Sequence, residues 1–470
     1  MSAENKMMKQ FGNISYRFIY GFILIFFLNS CAVVKTPYFK TGYYQKTISR
    51  LDSIKSEITF INDSVYAGFS RVSITPEIKK TNNKGAYKRS DKVPIAGFGQ
   101  LRGKYATGIH DSIFVKAAAL KTGDQTIVII SADLLIMPPN IIDSVASILL
   151  RKGLKRNQLF FSATHSHSSL GGWGYGLIAK TFSGKENSFI EKWLINQINR
   201  AITDAISDLH PAKLGSGSFN ASQYTRNRLT GNPQQKNNDF NFLVLEQTGG
   251  RKAIIGSFSA HATTIGRKNT EISADYPGYW ERKMENSTFD MAMFCGGSMG
   301  SQSAVSQGNE FDNSKYLGEA LADSLLDNVK KIKMNEKLTL SALSLKIFLP
   351  EYHIRMSTNR NFTTGFSNML MPLPKNVYLQ ALRINDLIWF FTPGDFSGES
   401  AIQIKRLLAG EGYKAMITGY NGSYVGYLIP GKYFYLNHYE SKLMGWFGPT
   451  MGDYTMDLID LMGNAIIINK

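Results

Sequence analysis

The segment Gln125-Thr-Ile-Val-Ile-Ile-Ser131 carries four consecutive apolar residues, and this constrains the fold more than any other feature of the chain. Side chains of a strand alternate between faces, so four apolar residues in a row require both faces to be covered. The run is therefore a central strand, paired through Lys121-Thr-Gly123 with the preceding strand Ser112-Ile-Phe-Val-Lys-Ala-Ala-Ala-Leu120. A helix over 141–150 and a second buried strand, Gln158-Leu-Phe-Phe-Ser-Ala163, follow. Residues 188–209 place Ile190, Trp193, Leu194, Ile198, Ile202 and Ile206 at helical spacing, the pattern of a surface helix laid on a sheet. Strands are expected at 240–246, 252–259, 291–294, 337–347, 377–384, 387–391 and 414–419, with helices at 314–332 and 401–408. Strands feeding helices in this way predict an α/β mixed-sheet layered sandwich with one main domain. The pattern leaves strand direction open.

The start of the chain differs in character. Lys6, Lys9 and Arg17 precede an apolar run over 18–28, which ends in Leu28-Asn29-Ser30-Cys31. A positive segment, a short apolar segment and a small residue before a cleavage point describe an export signal. The run is shorter than the roughly 20 residues a spanning helix needs. Its end resembles the bacterial lipoprotein signal, in which the cysteine becomes the lipidated first residue; the alternative is an uncleaved N-terminal anchor. Both place the body outside the cytoplasm, in a bacterial cell envelope (periplasmic or cell-surface), with Cys31 as the lipid attachment to the membrane. The expected division is a signal over 1–30, a tether and lead-in over 31–66, and a catalytic body over 67–470. The formal charge of +17 comes from scattered Lys and Arg, densest at Lys330-Lys-Ile-Lys-Met-Asn-Glu-Lys337. With no basic comb interleaved with stacking aromatics, nucleic acid is excluded as a partner, and the charge favours anionic lipid or envelope surfaces. Only Cys31 and Cys295 exist, so no disulfide framework supports the fold.

Seven histidines are present: His110, His165, His167, His210, His261, His353 and His438. His165 and His167 stand two apart, just past a buried strand and before Gly171-Gly172. Extended residues two apart point the same way, so the pair forms a zinc half-site or a pair of hydrogen-bonded loop histidines. His261 follows another strand, Ala253-Ile-Ile-Gly-Ser-Phe-Ser-Ala260. His210 is expected to close a helix at the surface, and His353 and His438 to be ordinary exposed histidines. His110 is expected to orient a turn or line a pocket. Asp395, on the Pro393-Gly394 turn after an apolar strand, is a metal carboxylate or a helix cap, with Glu399 as the alternate. The histidines gather in metal-like settings, which weighs against a serine hydrolase.

Thr164-His-Ser-His-Ser-Ser-Leu-Gly-Gly172 resembles the Thr-His-Thr-His-Ser-x-x-Gly-Gly motif of the neutral, alkaline, non-lysosomal ceramidase family. The resemblance continues through most of 67–455: Phe69-Ser-Arg-Val-Ser-Ile-Thr-Pro76, Gly108-Ile-His110, Asn227-Arg228, Ser257-Phe-Ser-Ala-His-Ala-Thr263, Ser273-Ala-Asp275-Tyr-Pro-Gly278, Pro393-Gly394-Asp395-Phe396, Asn421-Gly-Ser-Tyr-Val-Gly-Tyr427, His438-Tyr-Glu440 and Phe447-Gly-Pro-Thr450 follow in order. The resemblance implies Zn2+ held by His165, His261, Asp395 and Tyr427. It implies that His167 and Tyr439 bind the substrate amide and its oxyanion, and that Arg228 adds positive charge or a hydroxyl contact. The implied reaction is hydrolysis of the ceramide amide, or that of a related N-acyl lipid, to a fatty acid and an amine. Two departures stand out. Asp395 occupies a position where the family usually has Glu. Phe294-Cys-Gly-Gly-Ser-Met-Gly-Ser301 replaces a segment close to Gln-x-Asn-x-Gly-Asp-x-Ser-Pro-Asn, leaving Ser301 as a polar contact or a plain loop serine. The C-terminal immunoglobulin-like domain of longer members is not expected. The competing functions are hydrolysis of another envelope amide or ester, and a non-catalytic lipid- or glycan-binding lipoprotein.

Overall fold

The computed structural model describes residues 30–78, 92–100, 103–305 and 309–467; the expected signal up to residue 29 lies outside them. Two main sheets are built from β1 (Ile61–Ser64), β2 (Tyr66–Ser73), β3 (Phe114–Thr122), β4 (Gln125–Ala132), β5 (Leu159–Ala163), β6 (His210–Asn220), β7 (Asp239–Gln247), β8 (Lys252–Phe258), β9 (Met291–Gly296), β10 (Lys337–Lys346), β11 (Tyr378–Ile384), β12 (Leu387–Phe391) and β13 (Lys414–Thr418). The larger sheet runs β9-β8-β7-β6-β2-β3-β4-β5 and the smaller β1-β10-β11-β12-β13. The pairs β4–β5, β8–β9 and β12–β13 are parallel, and the others antiparallel.

The double burial demanded by β4 is met by two different cores. Val128 and Ile130 pack under the helices Pro139–Leu150 and Ser188–Ser207, whereas Ile127 and Ile129 enter a core shared with Leu340, Leu382, Trp389 and Phe391 of the smaller sheet. All four isoleucine and valine side chains are essentially inaccessible, each worth about 1.5–3 kcal/mol relative to exposure. The outer face of the smaller sheet is covered by helices Gly398–Gly410 and Met451–Ile467 through Ile404, Leu408, Leu458 and Met462. Helix, sheet, sheet and helix thus form the layered α/β sandwich.

Several local features differ from the sequence reading, among them the helices Asp275–Glu285 and Met451–Ile467, which it did not predict. Within the expected lead-in, Gly42–Lys55 is a helix with Thr47 and Leu51 buried, and the Tyr454 hydroxyl donates to Thr47 Oγ1 at 2.7 Å. The helix over Ser188–Ser207 stops before Leu209, and His210 opens the eleven-residue strand β6, exposed as expected. His353, expected to be exposed, is buried, with Nδ1 on the Phe362 carbonyl at 2.8 Å.

One tertiary feature positions the functional residues. The larger sheet curls so that its edge strand β9 returns beside β4 and β5, and the Ser131 hydroxyl donates to the Phe294 carbonyl across the seam at 2.6 Å. The loops leaving β5 and β8, from opposite ends of the sheet order, therefore meet.

Candidate metal centre

His165 leaves β5 two residues past its end, in the left-handed region at φ 62°. Few residues other than glycine adopt it; histidine, asparagine and aspartate are the side chains enriched there. The twist turns the imidazole back toward the seam, where Nδ1 meets the Leu135 carbonyl at 2.7 Å. His261, after β8, places Nδ1 on the Met299 and Gln302 carbonyls at 2.8 and 3.1 Å. A carbonyl only accepts, so each Nδ1 must carry the proton, and each Nε2 presents a lone pair. Those two Nε2 atoms face each other at 3.1 Å with no proton between them. His167 brings a third Nε2 to 3.2 Å from that of His165, while its backbone N–H donates to the Ala262 carbonyl and ties the two histidine loops together. Asp395 completes the convergence, with Oδ1 at 3.5 and 3.6 Å from the Nε2 atoms of His165 and His261.

Facing acceptors of this kind repel one another unless a cation lies among them. Imidazole nitrogens with a carboxylate are the donor set of zinc, and His165, His167 and His261 form the metal-capable cluster among the described residues. Their protonation state suits that role. Burial lowers the pKa of His165 despite the opposing pull of Asp395; burial, then Arg228 and the other two histidines, take His261 well below the ordinary value; burial, then His165 and Arg228, do the same for His167.

Asp395 has the shorter side chain of the two acids, yet both of its oxygens are occupied. Tyr420, its ring stacked on His165 at 4.3 Å, donates to Oδ1 at 2.8 Å, and Tyr424 donates to Oδ2 at 2.7 Å. The backbone also comes close: a Cβ on Gly300 would lie 2.3 Å from the Asp395 carbonyl oxygen, so the glycine-rich loop after β9 packs directly against the main chain that carries the carboxylate. Partners that orient a ligand usually contribute about 10–100-fold to metal affinity. Tyr420→Phe and Tyr424→Phe are each expected to weaken zinc binding by about that factor, measured by competition with a chromogenic chelator. Unchanged affinity in both would remove the phenols from the site's support.

Tyr427 places its hydroxyl 3.0 Å from His261 Nε2. Arg228 Nη2 donates to the same hydroxyl at 3.0 Å, and Arg228 Nε pairs with buried Glu440 at 2.7 Å. Burial and then Asp395 raise the Tyr427 pKa well above the usual tyrosine value, and Arg228 opposes them. Tyr439 is 41% exposed, with its ring edge-on to Tyr427 at 5.8 Å. Ser301 is apart from this group and fully buried. Its hydroxyl donates to Glu399 and accepts from the Gly398 N–H, while Glu399 also accepts from Asn227. Glu399 is thus a strut rather than a member of the cluster, and Ser397, not Asp395, caps the helix that follows. His110 lies elsewhere, stacked on Phe311 and bonded to Tyr279. The phenols of Tyr420 and Tyr424 and the carboxylate of Glu440 were missed as site residues. Tyr424 and Glu440 sit inside motifs the sequence made conspicuous and Tyr420 just before one, but nothing in their spacing shows which way they point.

Behind the imidazoles, a cavity of about 90 Å³ is lined by Leu135, Ile136, His165, His167, Trp173 and Tyr427 among others. It shares Ile136, Trp173, Met371, Tyr424 and Trp446 with a wider hollow of about 490 Å³. Through these shared residues the two hollows adjoin as a largely apolar channel beside His165 and His167, with Asn140, Asp143 and Lys375 lining its wider part.

Residues 90–337, more than half of the chain, match the family model for the N-terminal region of neutral/alkaline non-lysosomal ceramidase. Among solved structures, the chain is similar to neutral ceramidase from Pseudomonas aeruginosa, at 19% identity and a TM-score of 0.69 over 84% of this chain and 73% of that one. It is also similar to a ceramidase complexed with C2, at 18% identity and a TM-score of 0.73 over 85% and 76%. At these identities the likeness is one of fold. No curated protein matches.

Proposed function

The chain belongs to the neutral/alkaline non-lysosomal ceramidase family, and from that premise we propose a zinc-dependent amidohydrolase that cleaves the N-acyl amide of ceramide or a related lipid, releasing a fatty acid and an amine. The observation that carries this reading is the pair of buried, neutral imidazoles whose Nε2 lone pairs face each other at 3.1 Å while carbonyls hold both Nδ1 protons.

In the proposed site His165, His261, Asp395 and Tyr427 hold the ion, and Arg228 supports Tyr427 by donating to its oxygen. Zinc, when bound, supplies Lewis acidity to a water and to the amide carbonyl. The protein's own groups do the rest. His167 differs from the other two imidazoles because its Nδ1 is buried with no partner. No carbonyl fixes its tautomer, so it is free to take a proton and pass it to the leaving amine. Desolvation, with Asp395 next, pushes the Tyr439 pKa up to about 12, so its hydroxyl stays protonated at neutral pH and can donate to the oxyanion. The apolar channel takes the acyl chain and excludes water around the reacting amide. The Ser301 hydroxyl acts through Glu399 and the helix Gly398–Gly410, while its carbonyl accepts from the Arg228 N–H at 2.8 Å. Among the described residues no helix is long and apolar enough to cross a membrane. The proposed placement is an envelope lipoprotein held through Cys31.

The test is metal content together with product identity on ceramide, N-acyl amino lipids and short acyl amides. Stoichiometric zinc, release of free fatty acid, and loss of activity to a chelator but not to a serine-directed inhibitor are expected. Zinc-loaded protein that releases no acid from any of the three classes would overturn the reading.

A further inference from the structure

We propose that the face around the channel mouth is a membrane-docking surface, seated on an anionic bilayer beside the point where the N-terminal segment joins the body. Its purpose, drawing an N-acyl lipid into the channel, rests on the hydrolase reading; its geometry does not.

The first observation is where the chain enters. Ser30–Ala32 pairs antiparallel with Arg360–Phe362, Cys31 opposite Asn361. The Cys31 sulfur lies 3.7 Å from both the Phe362 carbonyl and His353 Nδ1. The His353 N–H donates in turn to the carbonyl of Trp446, a wall of the channel. On the other side, the helix Thr364–Leu370 leads from this strand to Met371, which lines both parts of the channel. In the sequence, the apolar run over 18–28 ends two positions before Ser30. A lipid on Cys31, the attachment proposed above, would put the bilayer on the side of the body that carries Trp446 and Met371.

The second observation is what this face exposes. Leu177 (63%), Met369 (62%) and Leu443 (56%) stand in solvent, as do Tyr435 and Leu436. Arg355 holds the 434–443 segment against the β-pair by donating to the Phe434 and Ser441 carbonyls at 2.7 and 2.8 Å. Isolated exposed apolar side chains are ordinary, but Leu177, Met369 and Leu443 stand on the segments that also give Ala179, Met371 and Met444 to the channel lining, and such a set marks an interaction surface. The third observation is charge. Lys35, Arg360, Lys375, Lys432 and Lys442 are exposed on these same segments, with Lys35 over the Tyr435 ring, against the carboxylates of Glu351, of Asp143 in the wider hollow and of exposed Asp453, which accepts from the Gly431 N–H. Apolar side chains inside a basic margin fit an anionic headgroup layer over acyl chains. A protein partner would have to share the face with the membrane-bound segment, so the occupant is the bilayer.

The test places a polarity-sensitive fluorophore at Leu177→Cys, Met369→Cys or Leu443→Cys in the full-length, lipid-attached protein. Controls are Tyr316→Cys and Leu407→Cys, comparably exposed on helices that contribute nothing to the channel, and the labelled parent protein. With vesicles of mixed phosphatidylethanolamine and phosphatidylglycerol, the three mouth labels shift to the blue and are quenched by nitroxide lipids, and the controls are not. Mouth labels as wet as the controls on protein that floats with the vesicles would overturn the proposal. So would a blue shift that depends on protein concentration without vesicles, because a second copy would then be the occupant. Hydrolysis of a detergent-dispersed N-acyl lipid is followed on the same samples. Immersion of the mouth without hydrolysis supports docking and counts against the amidase chemistry, so the two readings fail separately.

Discussion

His165→Ala and His261→Ala each purify with little zinc, and turnover of the N-acyl substrate falls by on the order of 10³ or more, the equivalent of the several kcal/mol that a Lewis acid contributes. The two variants are not structurally equivalent. His261 leaves a strand in ordinary backbone, whereas His165 sits at φ 62°, where alanine is strained and asparagine is tolerated. His165→Asn therefore separates loss of the ligand from backbone strain: its melting temperature should exceed that of His165→Ala, while its zinc affinity remains far below that of the parent. The same site sets an acid limit. A bound cation competes with protons for Nε2, and burial holds the pKa of both imidazoles below 6.5. Each stays neutral as pH falls through the ordinary histidine range, so zinc is retained at pH 6.5 and released only under more acidic conditions. Full zinc and parental turnover in either alanine variant would dismantle the centre.

The second large effect is one of turnover without metal loss. His167→Ala keeps its zinc and loses about 10²–10⁴ in kcat, the range for removing a positioned acid–base group. Distance alone does not predict this, because the His167 Nε2 is as close to His165 as that of His261. The distinction lies in the far nitrogens. Carbonyls orient the Nδ1 protons of His165 and His261, as expected of metal ligands, while the buried Nδ1 of His167 has no partner and its tautomer is unconstrained. Zinc content by atomic spectroscopy, read beside kcat and KM, decides the matter. Loss of zinc equal to that in His165→Ala would make His167 a third ligand and leave the leaving amine without its proposed acid.

The departures from the family motif change less than their spelling suggests. The loop after β9 lacks the usual acidic and amide side chains, yet its contribution to His261 is made by the Met299 and Gln302 carbonyls, which any sequence retaining this path supplies. The shorter acid at position 395 is accommodated by its two tyrosine donors and by Gly300 at its back.

Much was legible without coordinates because it depends on short-range periodicity. The four-residue apolar run of β4 required a strand covered on both faces, and the spacing in 188–209 required a helix on a sheet. Histidines at strand ends pointed to a site assembled from loops. Other features carried no such signal. The strand beginning at His210 was hidden because its alternation is interrupted by glycines at 215 and 217, and the burial of His353 depends on a strand pair between residues some 330 positions apart.

By itself, then, the sequence determined the layered class, most of the strands, several of the helices and the residue types available for a metal, because alternation and helical spacing are properties of neighbouring residues. Tertiary structure alone decided that β9 folds back against β4 and β5, so that loops some 96 residues apart set two lone pairs 3.1 Å from each other. It also decided which imidazole nitrogens are held by carbonyls and which tyrosines reach Asp395. Those outcomes depend on distances across a curled sheet, and no local pattern of residues encodes such distances.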